Sequence, residues 1–140
     1  MGHRSITMNQ MESAVISDEE SRSQPLTISV IMPVYNGAEF IITSLPPLLA
    51  MQQRGEIMEV IVVDDGSTDR SRQIAQDLGA IVISSGGRMG PGGARNQAAA
   101  VAQGELLWFV DADVVVHADA AECLSRGFAD QQVVAVFGSY

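Results

Sequence analysis

Five short apolar runs, rich in β-branched residues, punctuate the chain and constrain its fold more than any other feature. They are Ile28 with Val30, Ile31 and Met32, then residues 60–63, 81–83, 106–110 and 133–137. Runs this short that stay apolar without alternating suit strands covered on both faces, as in a parallel sheet. The intervals between them carry helical spacing. Ile41, Leu45, Leu48 and Leu49 form one face, with Pro46 and Pro47 expected to kink or split that helix. Ser67 or Thr68 is expected to cap a helix bearing Ile74 and Leu78, which Gly79 stops. Ala94, Ala98, Val101 and Ala102 repeat on one face before Gly104, and Asp119 opens a segment with Ala120, Leu124 and Phe128. The order βαβαβαβαβ predicts an α/β domain built on a mostly parallel open sheet with flanking helices.

Residues 1–25, rich in Ser, Glu, Gln and Met without a sustained period, are expected to be a disordered leader, leaving 26–140 as the domain. Cys123 is the only cysteine, so no intrachain disulfide can form; it is expected to be a small buried hydrophobe in a chain of the reducing cytoplasm. No run reaches the length of a membrane span. Attachment to the inner face of the membrane is a second expectation. The net charge of −9 comes from seventeen acids against eight basic residues, all of them Arg. Such a surface argues against nucleic-acid binding, which needs basic residues to neutralise phosphates. A polyphosphate would have to be met by arginine, by backbone N–H groups, or by a metal ion held on carboxylates.

In open α/β sheets ligands bind beyond the carboxyl ends of the strands. Here those ends carry Pro33-Val34-Tyr35-Asn36-Gly37 with Glu39 beyond, and Asp64-Asp65-Gly66-Ser67-Thr68-Asp69. The third strand leads into a glycine-rich loop, residues 84–93, followed by Arg95; the fourth ends in Asp111-Ala112-Asp113. Residues two apart on an extended chain point the same way, so Asp111 and Asp113 could converge on one Mg²⁺ or Mn²⁺ that shares phosphate oxygens. The same stretches are also ordinary turn and helix-start compositions. The loop could present backbone N–H groups to an anion at a helix start. Tyr35 is as well suited to the core as to stacking on a base, Trp108 is expected in the core, and His3 and His117 look incidental.

Taken together, Ile31-Met32-Pro33-Val34-Tyr35-Asn36, residues 61–69, Gly92-Gly93-Ala94-Arg95-Asn96 and Phe109-Val110-Asp111-Ala112-Asp113 resemble glycosyltransferase family 2 in order and spacing, over roughly residues 26–140. The resemblance implies a GT-A fold, Rossmann-like, binding a nucleoside-diphosphate sugar, commonly a UDP-sugar. Pro33, Tyr35 and Glu39 would border base and ribose, and Asp64 or Asp65 would hold the base. Arg95 would reach base or phosphate. Asp111 and Asp113 would form the DxD motif, with Asp113 the direct metal ligand and Asp111 nearer the ribose. The implied reaction is inverting transfer of the sugar to an acceptor hydroxyl on a glycan, lipid or other compound.

Family members continue beyond the position matching Tyr140, and none of the residues here matches their catalytic base. The expectation is therefore a C-terminally truncated domain with weak or no transfer activity alone, and a sheet edge suited to forming a homodimer. Two alternatives share some of these residues. One is a noncatalytic nucleotide-binding or interaction module of the same descent. The other is a haloacid dehalogenase-like phosphatase, which would need a lysine downstream of Asp113 that this chain lacks.

Overall fold

The computed structural model describes residues 24–138; most of the expected leader therefore lies outside the described residues. Four strands, β1 (Ile28–Val34), β2 (Glu59–Asp64), β3 (Ile81–Ser84) and β4 (Leu106–Phe109), form one sheet in the order β3-β2-β1-β4. Every pairing is parallel, with Val30 opposite both Val60 and Trp108. Helices α1 (Ala38–Gln53), α2 (Ser71–Leu78), α3 (Gly90–Val101) and α4 (Ala120–Gly127) supply the crossovers and the coverage.

The strand pleat divides the core into two layers. Val30, Met32 and Val34 of β1, with Val60 and Val62 of β2, pack on Ile41, Leu45, Leu48 and Met51 of α1 and Ala75 of α2. Ile31, Ile61 and Val63 point the other way, onto Ala94 and Ala98 of α3. Small side chains on α3 let that helix lie close to the sheet. Both faces of β1 and β2 are buried, which explains why their sequences are apolar without alternation. Trp108 of β4 is half-buried against the first layer, as expected.

Several sequence expectations need correction. The two prolines do not split α1, which runs unbroken through Pro46 and Pro47. Each removes a backbone donor, but Leu45 and Leu48 are fully buried on either side, and packing worth about 1.5–3 kcal/mol per side chain outweighs that loss. Helix α2 starts at Ser71, and neither Ser67 nor Thr68 caps it; Asp69 accepts the Ser71 N–H at 2.9 Å instead. Gly79 does stop α2, at a φ of 97° that suits glycine. Residues 133–137 form no strand, and Val134 and Phe137 stand almost fully exposed. A strand exists only through a neighbour's backbone bonds, and these residues have none of that kind among the described residues. Cys123 is exposed rather than buried, because α4 buries only Ala121 against the core. No helix among the described residues is long and apolar enough to cross a membrane.

At the amino ends of the strands a polar clasp closes the sheet. The buried Ser29 hydroxyl donates to Glu59 Oε1 at 2.6 Å and accepts the Gly104 N–H at 2.8 Å, while Glu59 also accepts the Gln103 N–H at 2.8 Å. Gly104 fits only because it has no side chain: a Cβ there would stand 2.6 Å from the Ser29 nitrogen and 2.7 Å from its hydroxyl. Gly104→Ala is expected to cost about 1–3 kcal/mol, by overpacking and by loosening this clasp. Urea unfolding measures it, and a variant as stable as the parent would show that the approach of these two backbones is not tight.

Candidate functional site

Because all four strands are parallel, their carboxyl ends lie along one edge of the sheet. The chain passes from β1 outward through β2 to β3 and then returns to β4 on the other side of β1, so the topology switches between β1 and β4. That is where an open sheet leaves a crevice. Pro33 helps to open it. The Ile31 carbonyl accepts the Val110 N–H at 3.0 Å, and Pro33, two residues on, turns the same edge toward β4 without an N–H to offer. The ladder to β4 ends at Ile31 and Phe109, while that to β2 continues to Val34 and Asp64.

The pleat also separates the paired acids after β2. Asp64 continues the side that faces α1 and α2, where its Oδ1 accepts the Ser67 N–H at 3.1 Å. Asp65 continues the opposite side, toward α3. Its Oδ1 accepts the Met89 N–H at 2.7 Å and the Ser85 hydroxyl at 2.8 Å, and its Oδ2 accepts the Gly90 N–H at 2.9 Å. Both carboxylates are buried. Asp65 therefore occupies the N-terminus of α3 with the protein's own negative charge. This corrects the expectation that the glycine-rich loop holds its N–H groups for an incoming anion: two of them are already taken. It also corrects the loop's extent, since residues 90–93 form the first turn of α3.

Desolvation pushes the Asp65 carboxyl up. The Met89 N–H, the Ser85 hydroxyl, the Gly90 N–H and Arg88 outweigh it and hold the group below the usual carboxylate range. Arg88 lies 3.8 Å from Asp65 through its Nε, and its guanidinium covers the Tyr35 ring at 3.3 Å from the centroid. Tyr35 is thus a partly exposed ring at the site's edge, not a core residue. Gly66, at a φ of 79°, lets the two loops meet, since a Cβ there would lie 3.3 Å from the Gly87 carbonyl group. Arg88 was not singled out by the sequence; the only signal was an arginine within a glycine-rich loop that follows an acid pair.

A second network joins the loops after β1 and β2. Asn36, in the left-handed region at a φ of 48°, accepts the Thr68 N–H at 2.8 Å and the Asp69 N–H at 3.3 Å on Oδ1, and donates its own N–H to the Ser67 hydroxyl. Asp69 accepts from Ser71 on one oxygen and from the Ala38 N–H, at 3.0 Å, on the other. Desolvation raises the Asp69 carboxyl, but the bonds from the Ser71 hydroxyl, the Ser71 N–H and Ala38 bring it below its ordinary value. Glu39 stands exposed in the first turn of α1 just beyond.

The turn after β4 carries Asp111 and Asp113. It is closed by the Val114 N–H donating to the Asp111 carbonyl at 3.1 Å, so the two acids sit on a turn and the alternation rule for an extended chain does not apply to them. The buried Ser44 hydroxyl of α1 holds the Ala112 carbonyl at 2.6 Å, and Ala112 also faces Gly37. Asp111 Oδ1 pairs with Arg95 Nη2 of α3 at 2.7 Å. The exposed Asp113 carboxylate has no hydrogen-bond or ion-pair partner among the described residues. No group of three or more His, Cys, Asp or Glu gathers among those residues. Two hard carboxylates fit an octahedral Mg²⁺ or Mn²⁺ that completes its shell with water and phosphate oxygens.

The lowered carboxylates fix the sign of an acid response. Groups depressed in the folded state stabilise it above their unfolded values, near 4, and that stabilisation is lost as the pH falls through the folded values. Asp65→Asn is expected to destabilise the fold by about 2–3 kcal/mol at neutral pH, the scale of bonds to a charged acceptor. Its stability should also fall less steeply on acidification below pH ~4 than the parent's. Urea unfolding across pH reports both, and parallel profiles for parent and variant would contradict the assignment.

Comparison with known proteins agrees with the α/β fold. The chain is 32% identical over 118 residues to the glycosyltransferase GlyG of Streptococcus pneumoniae, covering 81% of this chain and 38% of that protein. It is 36% identical over 104 residues to the poly(ribitol-phosphate) β-glucosyltransferase of Bacillus spizizenii, 68% of this chain and 16% of that one. Among solved structures, S. aureus TarS 1–349 in complex with UDP-GlcNAc matches 74% of this chain and 31% of its own, at 34% identity and a TM-score of 0.64. Glucosyl-3-phosphoglycerate synthase of Mycobacterium tuberculosis, solved with Mn²⁺, UDP and glucosyl-3-phosphoglycerate, matches 92% of this chain and 46% of its own, at 27% identity and a TM-score of 0.67. The chain thus spans less than half the length of each of these relatives. The family model for glycosyl transferase family 2 matches residues 29–140, and the chain belongs to that family.

Proposed function

We propose that this chain forms the donor-binding part of a glycosyltransferase that takes a UDP-sugar together with Mg²⁺ or Mn²⁺ and serves inverting transfer to an acceptor hydroxyl. The observation that carries the reading is the Arg95–Asp111 ion pair on the turn after β4, beside the exposed Asp113 and at the β1/β4 switch, in a chain without lysine. The relatives solved with UDP-GlcNAc, and with UDP and Mn²⁺, support the choice of ligands.

In this reading Pro33, Tyr35 and Glu39 border the base and ribose. Asp64 is the acid better placed to hold the base N–H, because its Oδ2 has no protein donor among the described residues while both oxygens of Asp65 are engaged. Asp65 instead sets the position of the loop that brings Arg88 over Tyr35. Asp111 and Asp113 would hold the metal, with Asp113 as the direct ligand and Asp111 nearer the ribose. The bound metal supplies positive charge to the departing diphosphate. Arg95, always charged, faces the same phosphates from α3 and stabilises the charge that develops as the sugar leaves.

Calorimetric titration of UDP, GDP and TDP, each with and without Mn²⁺, tests the proposal. UDP is expected to bind tightest and to gain at least about tenfold from Mn²⁺. Asp113→Asn is expected to remove most of that gain while leaving metal-free UDP binding and thermal stability close to the parent's, since its side chain is exposed. A preference for another base, or a Mn²⁺ effect that survives the substitution, would reject the assignment.

A further inference from the structure

Arg95 makes an uneven use of its donors. Nη2 is committed to Asp111 Oδ1 at 2.7 Å, yet Nε is enclosed without any hydrogen-bond partner among the described residues. A guanidinium has five donors in a rigid fork, and an enclosed donor left unpaired is unfavourable. Arg95 is therefore held by one strong contact and penalised at another atom. An acceptor that offers several oxygens just outside the site, as a diphosphate does, would satisfy it better. Asp111, for its part, is one of only two acids on the turn after β4, and one of its carboxylate oxygens already accepts from this arginine.

We propose that Arg95 is an internal counter-cation for Asp111, exchanged when ligands arrive, so that diphosphate and divalent metal each prepare the site for the other. The inference rests on the donor-binding reading above. Without nucleotide, a metal ion must compete with Arg95 for Asp111. When the diphosphate draws Arg95 away, Asp111 is released to the metal and Nε gains an acceptor. No covalent bond changes; one ion pair is traded for two. By linkage, the factor by which nucleotide tightens metal binding equals the factor by which metal tightens nucleotide binding. Direct metal–phosphate bonds also couple the two ligands, so the diagnostic quantity is metal affinity in the absence of nucleotide.

Mn²⁺ titrations followed by electron paramagnetic resonance, with the intact chain at millimolar metal, read that quantity. Arg95→Met is expected to tighten Mn²⁺ alone by about two- to fivefold, the scale of a part-exposed ion pair. It should also weaken metal-free UDP binding and reduce the mutual tightening of the two ligands. Arg70→Met removes an exposed positive charge at the start of α2, at the same edge of the sheet but outside the donor site, and is expected to leave Mn²⁺ affinity unchanged. Circular dichroism establishes that both variants fold; a substitution to Gln replaces Met if either does not. The exchange is overturned if Arg95→Met leaves Mn²⁺ affinity unaltered, or if Arg70→Met raises it equally, since overall charge would then suffice. If the parent itself fails to bind Mn²⁺ with UDP present, the donor-binding reading fails, and this inference with it.

Discussion

The pleat of β2 governs the site. Neighbouring residues on a strand face opposite sides, so Asp64 and Asp65 are assigned to different layers before any ligand is considered. One carboxylate is left with a single backbone bond, and the other is spent on the first turn of α3. That commitment fixes where the glycine-rich loop runs, where Arg88 lies against Tyr35, and where α3 points Arg95. Slipping β2 by one residue against β1 would exchange the two acids and dismantle the arrangement. The register is protected by burial of both strand faces, since the same slip would move Val60 and Val62 out of the layer formed with α1 and α2.

Much of the fold was legible because strands buried on both faces leave a strong mark. The four apolar runs that became β1 to β4 lie where the sequence predicts them, as does the glycine stop after α2. What was not legible depended on partners distant in the chain. Residues 133–137 have the composition of a strand but lack a neighbour, and composition cannot supply one. The start of α2 was missed because Ser67 and Thr68 are drawn to Asn36, and the first helical N–H, that of Ser71, goes to Asp69. The prolines in α1 were overrated because local propensity is weaker than burial of the flanking leucines.

The candidate site shows the same division. Acids, arginine and tyrosine at strand ends stand out in the sequence, as does their order. Which of them are spent on the protein itself does not. Asp65 looks equivalent to Asp64 in sequence and differs in the structure by two backbone donors from Met89 and Gly90. Arg88 has no sequence neighbour to announce its place on Tyr35, since 53 positions separate the two, counted from 88 and 35. The absence of lysine remains informative: every cation at the crevice is a planar guanidinium, able to lie flat on a ring or fork onto a carboxylate.

Ser44 gives the acid turn an unusual suspension. The hydroxyl that grips the Ala112 carbonyl comes from inside α1, nearly two turns past the helix start and two residues before the proline pair. The turn that carries the two carboxylates is therefore tied to α1 as well as to its own strand. Their spacing is inherited from the seating of that helix, so alterations deep in the hydrophobic layer, well away from any solvent-facing atom, have a mechanical route to the acids.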